Sequence, residues 1–280
     1  MKRLLTRLLY TLLLVPFAAG AQSDPFGGSY IPPKLEVLDT ARFKVVYDWT
    51  YEHPLSNGMR TTECTLLVGP RVSKYGESTE IRGDSLQYAE RDASMSYREW
   101  MQKKGKAKAY PRESYLLRYH SRKDSIEVHD RYTVRYSDTN IDIPEFYYKT
   151  ESPETAWNFT GRTKTIRGIE CTEATGRLHG RDWTIWFAES IPIFEGPWEL
   201  SGAPGLILEA YDSENEHQFT LAEMRPDTSL ILRAVRDGRK NVTREKMRDL
   251  RAASYYSIVK MSRAVSEDDM RKPVKYLDLE

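Results

Sequence analysis

The first strong pattern along the chain is an alternation of apolar and polar positions that covers residues 43–51. Its apolar members are Phe43, Val45, Tyr47, Trp49 and Tyr51. A period of two predicts a half-buried β-strand. Asn57-Gly58 follows, a dipeptide well suited to the positive φ angles of a tight turn, and the chain returns through residues 61–68. The pattern predicts a β-hairpin.

Two stretches carry apolar residues at helical spacing instead. Asp84 is placed to cap a helix beginning at Ser85, whose apolar face is formed by Leu86, Ala89, Ala93, Tyr97 and Trp100. Thr243 is placed to cap a second helix, whose apolar face is formed by Met247, Leu250, Ile258 and Met261. Spacings of three and four residues put each set on one side of its helix.

Strand patterns fill most of the remaining chain. They cover residues 115–119, 126–134, 165–177, 181–187, 206–211, 218–224 and 230–235. After residue 165 only short turns separate them, and no helices alternate with them, which is typical of an antiparallel sheet. We therefore predict an α+β fold, mainly a curved antiparallel β-sheet with two flanking helices. A single domain would cover residues 22–280, with a charged C-terminal tail from residue 266.

The N-terminus has the pattern of a secretory signal peptide, residues 1–21. Lys2, Arg3 and Arg7 precede an apolar run from Leu8 to Ala19, and Ala19-Gly20-Ala21 supplies small residues for cleavage after Ala21. The run is shorter than the roughly 20 residues of a membrane-spanning helix. An uncleaved membrane anchor is the alternative. The prediction is an exported protein of the periplasm or of the cell surface.

Charge and cysteine content narrow the function classes. The whole chain carries 42 basic and 41 acidic side chains, and a near-neutral balance is not that of a nucleic-acid-binding domain. No later apolar run approaches membrane-spanning length, so no transmembrane segment is expected after cleavage. Cys64 and Cys171 are the two cysteines. In an oxidising compartment such a pair predicts a disulfide, while two distant cysteines do not suggest a zinc site.

One stretch is too specific to be generic sheet. It reads Trp186-Phe187-Ala188-Glu189-Ser190-Ile191-Pro192-Ile193-Phe194-Glu195-Gly196-Pro197-Trp198 and continues Glu199-Leu200-Ser201-Gly202-Ala203-Pro204-Gly205-Leu206-Ile207. This resembles the signature of the GLPGLI family, secreted proteins typical of the Bacteroidetes, Porphyromonas among them. Ala203 stands where the name-giving hexapeptide usually has Leu, and the upstream Gly168 to Ala174 also fits the pattern. The family carries no established biochemical activity, so the resemblance implies export and no mechanism.

The same stretch has a direct physical interpretation. Pro204 and Gly205 suit the two corners of a type II turn, with a positive φ at Gly205. Two roles stay open for the residues around it. They fold the sheet and touch no ligand, or the aromatic side chains line an apolar groove on its concave side. The candidate binding residues are Trp186, Trp198, Pro204, Gly205 and Tyr211.

Catalytic and metal-binding patterns are weak. Gly83-Asp84-Ser85-Leu86 matches the nucleophile block of GDSL hydrolases, but the other blocks of those enzymes are missing, so Asp84 is interpreted as a helix cap. His120, Asp124 and His129 lie close in sequence without a ligand spacing. We predict no cofactor, no metal and no catalytic residue.

The sequence therefore favours an exported cell-envelope protein that binds a hydrophobic ligand, or a secreted or outer-membrane protein partner, without catalysis. Two alternatives stay open. One is a secreted hydrolase with an unrecognised active site, and the other is a structural or assembly component.

Overall fold

Sixteen short β-strands and two helices make up the part of the chain that the structure, a computed structural model, describes. That part comprises residues 34–52, 58–89, 114–121, 124–131, 134–135, 141–142, 145–235 and 238–262. The predicted signal peptide, the hairpin turn at Asn57, the helix beyond Ala89 and the charged tail from residue 266 lie outside it. All described residues belong to one compact unit.

The strands and helices have the following bounds. The first eight strands are β1 (Lys34–Thr40), β2 (Phe43–Glu52), β3 (Met59–Val68), β4 (Val72–Glu77), β5 (Tyr115–Tyr119), β6 (Ser125–Arg131), β7 (Val134–Arg135) and β8 (Ile141–Asp142). The others are β9 (Glu145–Glu151), β10 (Asn158–Ile166), β11 (Ile169–Leu178), β12 (Arg181–Ala188), β13 (Leu206–Asp212), β14 (His217–Pro226), β15 (Leu230–Val235) and β16 (Lys240–Asn241). The helices are α1 (Ser78–Ala89) and α2 (Arg244–Ser262).

Twelve of these strands form one sheet in the order β10-β11-β12-β13-β14-β2-β3-β4-β5-β6-β9-β16. Its pairs are antiparallel except the last, where β16 runs parallel to β9. The strands β1 and β15 form a separate antiparallel ribbon, and so do β7 and β8. The predicted hairpin is confirmed, since Phe43 on β2 pairs with Val68 on β3 and Glu52 with Met59.

The predicted fold class, α+β with two flanking helices, is wrong. The described chain is mainly β, with a large mixed sheet, and the helices span only 12 and 19 residues. The physical reason lies in strands that carry no clear apolar alternation. All but two residues of β10 are exposed, so its Thr-rich, largely polar sequence gives no alternating strand signal.

The start of one helix agrees with the prediction from the sequence, and the start of the other does not. Helix α2 begins as predicted, because the Thr243 hydroxyl accepts a hydrogen bond from the backbone N–H of Lys246 at 3.2 Å. Helix α1 begins at Ser78, not Ser85, so Asp84 is not a cap. Asp84 instead lies inside the helix and pairs with Lys74 at 2.7 Å. Of the helices described, none is long and apolar enough to cross a membrane.

The strand register defines two faces of the large sheet. Successive side chains on a strand point to opposite faces, and paired residues share a face. We call the face that carries Tyr47, Phe219 and Ile185 the inner face, and the opposite one the outer face. Most of the main apolar core lies on the inner face. A smaller core lies on the outer face of β3 to β5, where the β1–β15 ribbon and α1 pack; it contains Ala41, Leu67, Val72, Ile81, Leu117 and Ile231.

Candidate functional site

The chain between β12 and β13, residues 189–205, is irregular but held by several backbone hydrogen bonds. We call it the connecting segment. Its backbone bonds to itself and to the start of β13: the N–H of Leu206 donates to the carbonyl of Ile191, and the N–H of Ile207 to that of Glu195, both at 3.0 Å. These bonds fix the segment without regular secondary structure.

Two glycines of the segment serve different purposes. Gly202 has a φ of +81°, which favours glycine. Gly205 does not have the positive φ expected for it. It is needed because the chain passes so close to β12 that an added Cβ would stand 2.1 Å from the carbonyl oxygen of Ala188. The predicted role of Gly205 as the positive-φ corner is therefore wrong, and a close backbone approach takes its place.

A buried ionic cluster holds the middle of the segment. The Glu195 side chain is 5% exposed, and its Oε2 accepts a hydrogen bond at 3.0 Å from Nε of Arg118 on β5, itself 2% exposed. Its Oε1 lies 3.1 Å from Nε2 of His120. That nitrogen also lies 2.9 Å from the Ser73 hydroxyl. Burial raises the pKa of Glu195, but the contacts with His120 and Arg118 outweigh it and bring the pKa below its usual value.

A second cluster holds the segment four residues further on. Oε2 of Glu199 lies 2.6 Å from Nε2 of His179, and its Oε1 accepts a hydrogen bond from the Tyr148 hydroxyl at 3.1 Å. The Arg244 guanidinium of α2 is 3.6 Å away. Burial raises the pKa of Glu199, yet the contacts with His179 and Arg244 lower it overall. Glu199 thus joins the turn after β11, strand β9 and α2 to the connecting segment.

Trp198, between the two carboxylates, adopts an unusual backbone conformation. Its φ is +55°, a region that large side chains rarely enter. Its ring is 9% exposed and packs edge-on against Tyr75 at 6.2 Å, with the Arg251 guanidinium of α2 at 5.8 Å. The surrounding ion pairs hold this strained conformation in place.

The opposite side of the segment is apolar and exposed. Phe194 is 62% exposed, the largest value among the big apolar side chains of the described residues, although its neighbour Glu195 is buried. Pro192 and Pro204 are also exposed, and Ile191 and Ile193 are half-buried. The segment therefore presents a rigidly supported aromatic ring to solvent.

The structure does not bring the predicted binding residues into one groove. Trp186 lies on the outer face beneath the ammonium of Lys164, 4.2 Å from its ring centre. Tyr211 is also on the outer face and half-buried, whereas Trp198 contacts the inner-face residue Tyr75. An open pocket lies elsewhere, lined by Ala41, Arg42, Arg225, Pro226, Asp227, Thr228 and Ser229. Ligand binding by the predicted residues stays a prediction.

The predicted disulfide is not formed: Cys64 and Cys171 are both buried free thiols. The register explains why. Cys64 pairs with Tyr47 and lies on the inner face, while Cys171 is three residues from the inner-face Ala174 and so lies on the outer face. Burial raises the pKa of Cys64 to about 12, although the neighbouring Tyr75 hydroxyl acts in the opposite direction. Neither thiol has the depressed pKa of a reactive cysteine.

The weak catalytic and metal motifs do not assemble. The Ser85 hydroxyl donates to the Ile81 carbonyl at 3.1 Å within α1, as a helical serine does. His120 and Asp124 approach to 3.9 Å, but His129 is held between Glu127 and Glu145 at 2.6 and 2.9 Å. No group suited to a metal ion occurs among the residues that the structure describes.

Sequence reasoning missed the polar residues that hold the segment. Glu195, Glu199, Arg118 and His179 were not predicted to have any role, since single charged residues usually face solvent. One signal was available. Both glutamates stand inside the conspicuous stretch of Gly, Pro and Trp, where a solvated charge is hard to accommodate.

Comparisons with known proteins do not assign this chain to a family. No family model matches the sequence, and no curated protein matches it. Among solved structures, PNGF-II is similar with a TM-score of 0.46 and 10% identity, over 76% of this chain and 34% of that chain. An outer membrane lipoprotein-sorting protein domain from Vibrio parahaemolyticus is similar with a TM-score of 0.24 and 6% identity, over 75% of this chain and 92% of that one. This chain spans about a third of the length of the PNGF-II structure.

Proposed function

We propose that this protein is an exported, non-catalytic protein of the cell envelope that binds another secreted or outer-membrane protein through the connecting segment. The observation that carries the proposal is Phe194, 62% exposed on a segment whose next residue is fixed by a buried ion pair. Export rests on the signal-peptide pattern of residues 1–21, and the resemblance to the GLPGLI family supports it.

The shape of this surface favours a protein partner over a small ligand. Small molecules are held in concave sites that enclose most of their surface. Phe194 projects outwards, and the candidate aromatics Trp186 and Trp198 are more than nine-tenths buried. A projecting aromatic ring on a rigid support is typical of the anchor residues of protein interfaces, which fill a pocket on the partner.

The test is site-specific photo-crosslinking in a Bacteroidetes host. A photoreactive phenylalanine at position 194 is expected to give one discrete protein adduct. The matched control is position 159, since Phe159 is 59% exposed and lies on the edge strand β10. With the identified partner purified, Phe194→Ser should weaken binding by at least about thirtyfold, because interface anchors contribute about 2 kcal/mol or more. Equal crosslinking at both positions, or adducts with lipid alone, would contradict the proposal.

A second candidate function, ester or amide hydrolysis, rests on one geometric observation. Ser73 Oγ lies 2.9 Å from Nε2 of His120, and Nδ1 of that ring lies 3.9 Å from Asp124 Oδ2, which is the order of groups in a serine hydrolase triad. Two features oppose it. Ser73 is 1% exposed, and Glu195 shares the same imidazole nitrogen.

A fluorophosphonate probe decides between the two functions, because it labels an activated serine covalently. We expect no labelling of the folded protein. Labelling that disappears in Ser73→Ala, and not in Ser85→Ala, would establish the hydrolase and remove the case for a purely binding role.

A further inference from the structure

We propose that His120 is a pH-dependent lock on the connecting segment: its positively charged form, together with Arg118, holds Glu195 and the exposed Phe194 surface in place, and its neutral form weakens that hold. The inference concerns regulation of the exposed surface around Phe194, which we call the docking surface. Only its biological role, the control of partner binding, rests on the proposed function. The lock itself can be measured on the isolated protein.

The side chains of His120 and Glu195 lie at the separation of an ion pair. The carboxylate of Glu195 is 5% exposed and lies 3.1 Å from the imidazole of His120, whose side chain is 27% exposed. Protons therefore reach the histidine from solvent, while the partner carboxylate is sheltered from water and from salt. A charge pair with one buried member responds more strongly to the loss of one charge than an exposed pair does.

Three other groups face the histidine, and none replaces its charge. Ser73 on β4 is neutral and shares the same ring nitrogen at 2.9 Å. Asp124, at the start of β6, lies 3.9 Å from Nδ1 and is 46% exposed, so it adds a weak attraction for the imidazolium. Arg118 on β5 keeps its charge at all relevant pH values. When His120 is neutral, Arg118 is, among the residues that the structure describes, the cation still paired with Glu195.

The direction of the pH dependence follows from these contacts. The contact with Glu195 raises the pKa of His120 above its usual value, although burial and Arg118 act the other way. Because the folded-state pKa is raised, the stabilisation is fully present below the ordinary imidazole pKa of 6.5 and is lost as the pH rises through the higher folded value. Glu195, with a pKa below its usual value, stays ionised over this range. The segment is therefore held most firmly in mild acid and less firmly once the pH exceeds the folded-state pKa of His120.

Release should be local. At its far end the segment is also held by Glu199, which accepts a hydrogen bond from the Tyr148 hydroxyl at 3.1 Å and lies 3.6 Å from the Arg244 guanidinium. The hydrogen bond from the backbone N–H of Ile207 to the carbonyl of Glu195 shows whether the part of the segment around Glu195 is held in place. Its opening would displace the residues next to Phe194 without unfolding the sheet.

Hydrogen exchange of the Ile207 amide from pH 6 to pH 9, corrected for the intrinsic pH dependence of exchange, tests the lock. We expect its protection in the wild-type protein to fall by about three- to fivefold across this range, the effect of losing one partly exposed ion pair. In His120→Gln, which keeps a hydrogen-bond donor and cannot titrate, protection should be independent of pH. In His120→Arg, which keeps a charge, it should stay high. Replacing the distant His217 by Gln is the control and should leave the wild-type profile unchanged.

Two results would overturn the inference. One is a wild-type protection that does not change between pH 6 and pH 9. The other is a pH profile in both His120 variants that matches the wild type. Because no partner is present in this measurement, loss of the lock would leave the docking proposal standing, and failure of the crosslinking experiment would leave the lock standing.

Discussion

Replacing Gly205 by Ala is expected to destabilise the protein by about 3 kcal/mol or more, the upper end of what overpacking usually costs. The added Cβ would stand 2.1 Å from the carbonyl oxygen of Ala188, 2.6 Å from its carbonyl carbon and 2.9 Å from the backbone nitrogen of Glu189. All three are backbone atoms, so no side-chain rotation relieves the clash. Either β12 or the connecting segment has to move.

Urea denaturation followed by tryptophan fluorescence measures this change. Gly202→Ala is the matched control, because Gly202 is three residues away, has a φ of +81° and would place its Cβ 4.0 Å from the nearest atom. A backbone penalty alone is expected there, about 1–2 kcal/mol. If Gly205→Ala cost no more than Gly202→Ala, the close approach of β12 and the segment would be disproved.

The contrast between these glycines shows how far the sequence determines the site. The sequence indicates that the Gly- and Pro-rich stretch turns sharply before a buried strand, and Leu206, Ile207 and Leu208 are indeed buried. It does not distinguish a glycine needed for a positive φ from one needed for a close approach. That distinction depends on where β12 runs, which is a property of the folded sheet.

The same limit applies to the fold. The β2–β3 hairpin could be predicted because its apolar alternation and its turn dipeptide are local signals. The residues predicted as one strand, 165–177, belong to two, because Arg167 and Gly168 form a turn with φ of +49° and +82°. Gly168 is a local signal for the break, but a single glycine inside a strand pattern is equally compatible with a bulge in a continuous strand. The disulfide prediction failed for a related reason, since only the register places Cys64 and Cys171 on opposite faces.

Buried charge was the hardest feature to predict. Burying a carboxylate is costly unless a partner charge and hydrogen bonds compensate for it. Here the partners of Glu195 come from the ends of other strands, 77 residues away in the case of Arg118. The connecting segment therefore depends on side chains that no local pattern associates with it. Replacing one of these side chains should consequently have a large effect on the stability of the protein.

Replacing Arg118 by Met is expected to destabilise the protein by about 3–5 kcal/mol, the usual cost of leaving a buried charge without its partner. Arg118 is 2% exposed, contacts Ser152 and donates to Glu195 at 3.0 Å. Arg177→Met is the matched control. Its pair with Asp182 at 3.1 Å is exposed on both sides, so a change below about 1 kcal/mol is expected.

The double variant Arg118→Met with Glu195→Gln separates lost charge pairing from lost packing. Since the second change removes the uncompensated carboxylate, the double variant should be more stable than Arg118→Met alone. Urea denaturation of the four proteins at pH 6 gives the coupling energy of the pair, at a pH where His120 still carries its charge. If the two single effects simply add, Arg118 stabilises the segment through its aliphatic packing, and the ion pair does not anchor the docking surface.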